Sequence, residues 1–185
     1  MITKEVIAQI IGIIAMAMNC ISYVQKKQTN LLVFQMLGGM LFSINYFLLG
    51  ALSGAFLNIS SFIRAIIFIK KDKFNAKHPA WTVGFSAVYF ISYALIFTVF
   101  DKEPLPINFI LEILPVFAMI ATLISYRYGE AKIVRRFGLI SSPLWLTYNI
   151  ANFSIGAIAC EIFSLISIII GMVKYDIKPK EKESM

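Results

Sequence analysis

Residues 81–100 read WTVGFSAVYFISYALIFTVF, twenty residues with no charge, no proline and one glycine. As a helix rising about 1.5 Å per residue, this stretch spans about 30 Å, the thickness of a bilayer's hydrocarbon core. On either side lies a block that divides into three more apolar runs. A three-span unit followed directly by a second copy would leave that copy upside down. One extra crossing between them restores the orientation, so residues 81–100 are read as the spacer of a three-plus-one-plus-three architecture.

The composition agrees. The 185 residues are 59% hydrophobic and 15% charged, against about 25% charged in soluble domains. The expected fold is an all-α integral membrane protein with seven transmembrane helices. Working outward from the spacer, the spans are expected at residues 5–23, 31–49, 55–69, 81–100, 107–126, 137–152 and 154–173. Basic loops are expected at 70–79 and 127–136, and an outer turn at 101–106 (DKEPLP). The organisation is then residues 1–79 as the first triple-helix repeat with its loop and 80–105 as spacer and turn. Residues 106–176 form the second repeat and 177–185 a charged tail.

Lysine and arginine set the orientation. Lys4 and Lys102 fall on one side of the membrane. Lys26, Lys27, Lys70, Lys71, Lys73, Lys77, Arg127, Lys132, Arg135, Arg136, Lys174, Lys178, Lys180 and Lys182 fall on the other, and Arg64 is expected to snorkel to that same face. This places the N-terminus outside and the C-terminus in the cytoplasm. The formal net charge of +7 is thereby a topology signal and a lipid-headgroup contact, not a nucleic-acid footprint. Reading residues 5–17 as a signal peptide cleaved after Ala15-Met16-Ala17 would invert every later loop against this asymmetry.

The two blocks resemble each other. Ala15-Met16 and Ile21-Ser22-Tyr23 recur, with the same gap, as Ala118-Met119 and Ile124-Ser125-Tyr126, a shift of 103. At that shift Gln9 meets Glu112 and Gly12 meets Pro115. Asn45-Tyr46 lies opposite Tyr148-Asn149, and Gly54-Ala55 meets Gly156-Ala157 at a shift of 102. Parallel repeats of this kind are a transporter design, with the solute site between the halves near mid-membrane.

These residues, with Phe47-Leu48-Leu49-Gly50, Glu112-x-x-Pro115-Val116, Trp145-x-x-x-Asn149, Ser154-Ile155-Gly156 and Glu161, resemble the SWEET, SemiSWEET and PQ-loop superfamily. More narrowly, they resemble the YgjV family of bacterial inner-membrane proteins. The resemblance implies a SWEET-like fold in the inner membrane. It also implies helix-bending hinges, matched here by Pro115 and Pro143 and, in the first repeat, by Gly12, and it offers Asn58 as one pore-facing polar position. The PQ dipeptide itself is absent.

Glu112 and Glu161 carry the sharpest chemistry. A carboxylate inside a span costs a few kcal/mol even on lenient scales, so it faces a cavity or a partner. Both lie a comparable depth into their spans, and together they suggest a polar-solute site or a titrating pair. Asn58, Asn149 and Trp145 join them as candidate substrate contacts, although amides inside spans also tie helices together. Trp81 reads as an interfacial anchor, and Cys20 and Cys160 as small buried residues. The single histidine, His78, sits in a basic loop beside Pro79. No nucleophile–base pair or metal-ligand spacing is present, so neither an enzyme, a cofactor nor a metal is expected. The expected function is a small-solute transporter or facilitator working by rocking of the two repeats. The alternatives are a non-transporting membrane scaffold or sensor, or a PnuC-like vitamin-precursor facilitator. Its partners are a small polar solute and the lipid bilayer, with homo-oligomers left open.

Overall fold

The computed structural model describes residues 3–23, 25, 27–128 and 130–177. Lys26 and residues 178–185, with Lys178, Lys180 and Lys182, lie outside the described residues. Among the described residues the chain is all helical: α1 (Lys4–Tyr23), α2 (Gln28–Leu49), α3 (Leu52–Ile69), α4 (Lys71–Phe74), α5 (Pro79–Thr98), α6 (Pro106–Tyr128), α7 (Ala131–Ala151) and α8 (Ile155–Met172). A π-helical turn, Val173–Ile177, follows α8. Six of these helices are long and apolar enough to cross a membrane: α1, α2, α3, α5, α6 and α8.

α7 is 21 residues long but is not among those six, because its first two turns carry Lys132, Arg135 and Arg136. Sequence reading makes 127–136 a loop. Instead α6 runs to Tyr128 and α7 starts at Ala131, so these cations ride on a helix. Arg135 can do so because it is neutralised. Its Nε donates to Asp176 Oδ2 at 3.0 Å and its Nη2 to Oδ1 at 2.5 Å, tying the start of α7 to the turn after α8. Gly171 leaves the room, since a Cβ there would lie 2.9 Å from Arg135 Cδ.

Local chemistry sets the helix ends. The Nδ1 of His78 accepts from the Ala80 N–H at 3.1 Å, with Pro79 at the first helical position of α5, where its missing N–H costs nothing. The α2–α3 and α7–α8 turns share one geometry. Gly50, at φ 76°, donates to Phe47 O at 3.2 Å, and Ala51 to Tyr46 O at 2.9 Å. Phe153, at φ 51°, donates to Ile150 O at 3.2 Å, and Ser154 to Asn149 O at 3.1 Å. Each residue of the second turn stands 103 positions after its counterpart in the first.

The helices pack in sequence, α1 on α2 on α3 and α6 on α7 on α8. α1 against α8 and α3 against α6 close the ring, while α5 leans on α3 and α6. The α1–α8 crossing is backbone to backbone: a Cβ on Gly156 would lie 2.6 Å from the Gly12 carbonyl carbon. Gly12, expected as a hinge, thus sits where α1 and α8 come closest. Pro115 and Pro143 lie inside continuous helices. One apolar cluster, centred on Leu32, Leu57, Tyr89, Val116 and Leu123, joins α2, α3, α5 and α6. A second, with Ala15, Phe42, Tyr46, Tyr148 and Ala157, joins α1, α7 and α8 to α2 and α3. Val6, Ile10, Ile13, Val83, Ile91, Ile162 and Ile166 point outward and are exposed, as side chains facing hydrocarbon must be apolar.

Candidate functional site

A polar stripe on each inner helix face converges on the centre of the ring. On α3, Asn58, Ser61, Arg64 and Ala65 recur at helical spacing. On α2 the stripe is Gln35, Gly39, Phe42 and Tyr46, and on α8 it is Ala157, Glu161 and Ser164. Spacings of three and four put such residues on one side of a helix. Together with Asn19, Met119, Thr122, Tyr126 and Trp145 they line a cavity of ≈ 110 Å³. At about 30 Å³ per water molecule, that is room for roughly four waters or a solute of a few heavy atoms.

The cavity's floor and lid differ in chemistry. Toward the ends that carry the α2–α3 and α7–α8 turns, it is closed by an aromatic and amide plug. The Tyr46 hydroxyl donates to Asn149 Oδ1 at 2.6 Å. The Tyr46 ring stacks on Trp145 with centroids 6.2 Å apart, and Tyr148 meets both rings edge-on. Tyr148 in turn accepts from the Gly54 N–H at 3.1 Å, and a Cβ on Gly54 would strike the Tyr46 ring at 2.9 Å. Beside the plug, Asn45 Nδ2 donates to Ala8 O at 2.7 Å and its Oδ1 accepts from Ser154 Oγ at 3.0 Å. Toward the opposite end the wall is hydrophilic: Asn19, Gln35, Arg64 and Tyr126, with Tyr126 hydroxyl and Gln35 Oε1 hydrogen-bonded.

Of the candidate residues, Glu161, Asn58 and Trp145 share the cavity wall. Asn58 Nδ2 donates to Gly54 O at 2.9 Å, which leaves its carbonyl oxygen for other partners. Asn149 lies fully buried in the plug, with its Nδ2 unpartnered. Glu112 is elsewhere. It is 2% exposed and paired with Lys102, which folds back from the turn between α5 and α6. Of the two glutamates, Glu161 is on the cavity wall, whereas Glu112 lies behind it against Tyr148 of the plug. Trp81 donates from Nε1 to Phe74 O at 2.9 Å and packs on Phe74 and Phe85, so it fastens α4 to α5.

Sequence reasoning missed Arg64. Expected to snorkel outward, it is instead 4% exposed and lines the cavity. Its Nη1 donates to the Tyr89 hydroxyl and to Met119 O, each at 3.3 Å, and its Nη2 to Ser61 Oγ at 3.1 Å. Its guanidinium carbon stands 4.9 Å from the Tyr126 ring centroid. The signal was in the sequence: Asn58, Ser61 and Arg64 follow each other at threes along α3.

The family model Imp-YgjV, a bacterial inner membrane protein, matches residues 6–178. No curated protein and no solved structure matches the chain.

Proposed function

Because the chain belongs to the Imp-YgjV family of bacterial inner membrane proteins, and so is a multi-pass protein of that membrane, we propose that it is a small-polar-solute transporter or facilitator. In this reading α7 completes a set of seven spans, and α1–α3 and α6–α8 are parallel repeats of a SWEET-like fold with α5 as spacer. The N-terminus faces out. What supports the repeat is the register of 103 shared by the two turns and by the sequence matches. The swap of α1–α3 with α6–α8 also maps every helix contact of the ring onto another: α1–α2 onto α6–α7, α2–α3 onto α7–α8, and α1–α8 onto α6–α3.

The observation that carries the functional reading is the cavity. A polar hollow walled by Glu161, Asn58 and Trp145, from both halves of the chain, lies inside a molecule whose outer surface is apolar. A protein built only to hold helices together has no need to keep a carboxylate, an amide and a guanidinium on one open wall, since each loses hydration on insertion. With the outer end plugged by Tyr46, Trp145, Tyr148 and Asn149, the arrangement corresponds to a state closed to the outside. Rocking of the two repeats would open it, with Pro115 and Pro143 as bending points.

One observation favours the scaffold alternative for part of the molecule: Glu112 is already neutralised by Lys102 and so serves as a tie between α6 and the α5–α6 turn. The test is a thermal-shift screen of purified protein against sugars, nucleosides, vitamins and small acids, followed by uptake of each stabilising solute into proteoliposomes. Uptake that is lost in Glu161→Gln and kept in Glu112→Gln supports the reading. Binding without uptake of any solute contradicts it.

A further inference from the structure

We propose that the cavity recognises a solute bearing an oxyanion, a carboxylate or a phosphate, and that Arg64 is the group that holds it. This rests on the transporter reading for why a solute enters, but it is tested by binding alone.

Arg64 presents an unsolved charge. It is 4% exposed, about one and a half turns before α3 ends at Ile69, and its Nε is buried without a hydrogen-bond partner. Every partner its other nitrogens find is neutral: two hydroxyls, Tyr89 and Ser61, and one carbonyl, Met119. Among the described residues the ion pairs are Lys102 with Glu112 and Arg135 with Asp176, and neither involves Arg64. Those two pairs give the buried Glu112 and Arg135 direct partners of opposite charge, such as Arg64 lacks among the described residues. An arginine placed in a membrane core without a counterion is costly, and such residues pair or line a polar path.

The geometry favours an anion as the missing partner. Guanidinium presents its donors in a planar fork suited to carboxylate and phosphate oxygens. Here Ser61, Tyr89 and Tyr126 fix the plane of that fork, and the residue borders the hollow. Among the described residues that line the cavity, Arg64 is the only cation and Glu161 the only carboxylate. A solute seated with its oxyanion at Arg64 directs its remaining polar group toward Glu161, Asn58 or Gln35. The ≈ 110 Å³ volume suits a compact solute.

The experiment measures dissociation constants by thermal shift on the purified full chain at fixed ionic strength. The probes are acetate, inorganic phosphate and glycine, with acetamide and glycerol as neutral counterparts. Arg64 should make at least one anionic or zwitterionic probe bind about tenfold or more tightly than the neutral ones, the worth of one charge-assisted bond. Arg64→Gln should abolish that preference, and Arg64→Lys should keep part of it. Glycine above acetate and phosphate would identify a zwitterion read by both Arg64 and Glu161, whereas phosphate above both would identify a phosphorylated solute. Binding of acetate, phosphate and glycine all no tighter than that of acetamide and glycerol, no binding of any probe, or an unchanged preference in Arg64→Gln overturns the proposal. If Arg64→Gln fails to fold, the wild-type ratio of the tightest anionic or zwitterionic probe to the neutral ones decides. Flux in proteoliposomes is scored separately. Glycerol uptake without anion binding would sink this inference and leave transport standing, and anion binding without flux would do the reverse.

Discussion

The Tyr46 hydroxyl and Asn149 Oδ1 meet at 2.6 Å across the centre of the ring, and the two residues stand 103 positions apart. That is the offset at which the α2–α3 turn recurs as the α7–α8 turn. Under the proposed repeat the two are counterparts, and a residue that touches its own counterpart lies on the axis relating the halves. In the proposed rocking, the two halves would part at this bond. Asn149 Nδ2 already lacks a partner, so removing the hydroxyl leaves the buried amide without any side-chain partner. Tyr46→Phe should lower stability by about 1–2 kcal/mol, read as a lower melting temperature. An unchanged value would show that the plug is not held by this bond.

The two equivalent turns make opposite predictions for one substitution type. Phe153 occupies a left-handed conformation at φ 51°, where a side chain costs about 1–2 kcal/mol and glycine does not. Phe153→Gly should raise stability by about 1 kcal/mol, while Gly50→Ala, at φ 76°, should lower it by a similar amount. Denaturant or thermal melts of the two variants check the signs.

At the α1–α8 crossing, Gly156→Ala forces a methyl to within 2.6 Å of the Gly12 backbone, and main chain cannot step aside as a flexible side chain can. A loss of about 1–3 kcal/mol is expected. Gly84→Ala is the control, because nothing lies within 4 Å of a Cβ there. It should leave the melting temperature unchanged or slightly raised.

Asp176→Asn removes the countercharge of Arg135, whose side chain is 10% exposed. Breaking a largely buried pair leaves one charge unpaired, so a loss of roughly 2–3 kcal/mol is expected. The double variant Arg135→Leu/Asp176→Leu should recover part of that loss, and a cycle of the melting temperatures measures it.

Six apolar helices, and Asn58 and Trp145 on the cavity wall, were legible in the sequence because apolar runs and polar interruptions within them are local properties. The limits of that legibility lie where a charge finds a distant partner. Lys132, Arg135 and Arg136 read as a loop, yet α7 absorbs them because Asp176 reaches back from beyond α8. Glu112 and Glu161 read as a pair by depth alone, and rotation about the helix axes separates them: Lys102 claims one and the cavity takes the other. Arg64 read as a snorkelling side chain from its distance to Lys70, while the ring of Tyr89 and Tyr126 that draws it inward is contributed by α5 and α6.

The most direct test of a solute path through the centre needs no knowledge of the solute. In a Cys20→Ser/Cys160→Ser background, Asn58→Cys places one thiol on the cavity wall. A membrane-impermeant maleimide is then applied to sealed vesicles of each orientation. An alternating path exposes this thiol to both faces in turn, so modification from either side alone is the predicted result. Modification from one side only, or from neither, would contradict the account.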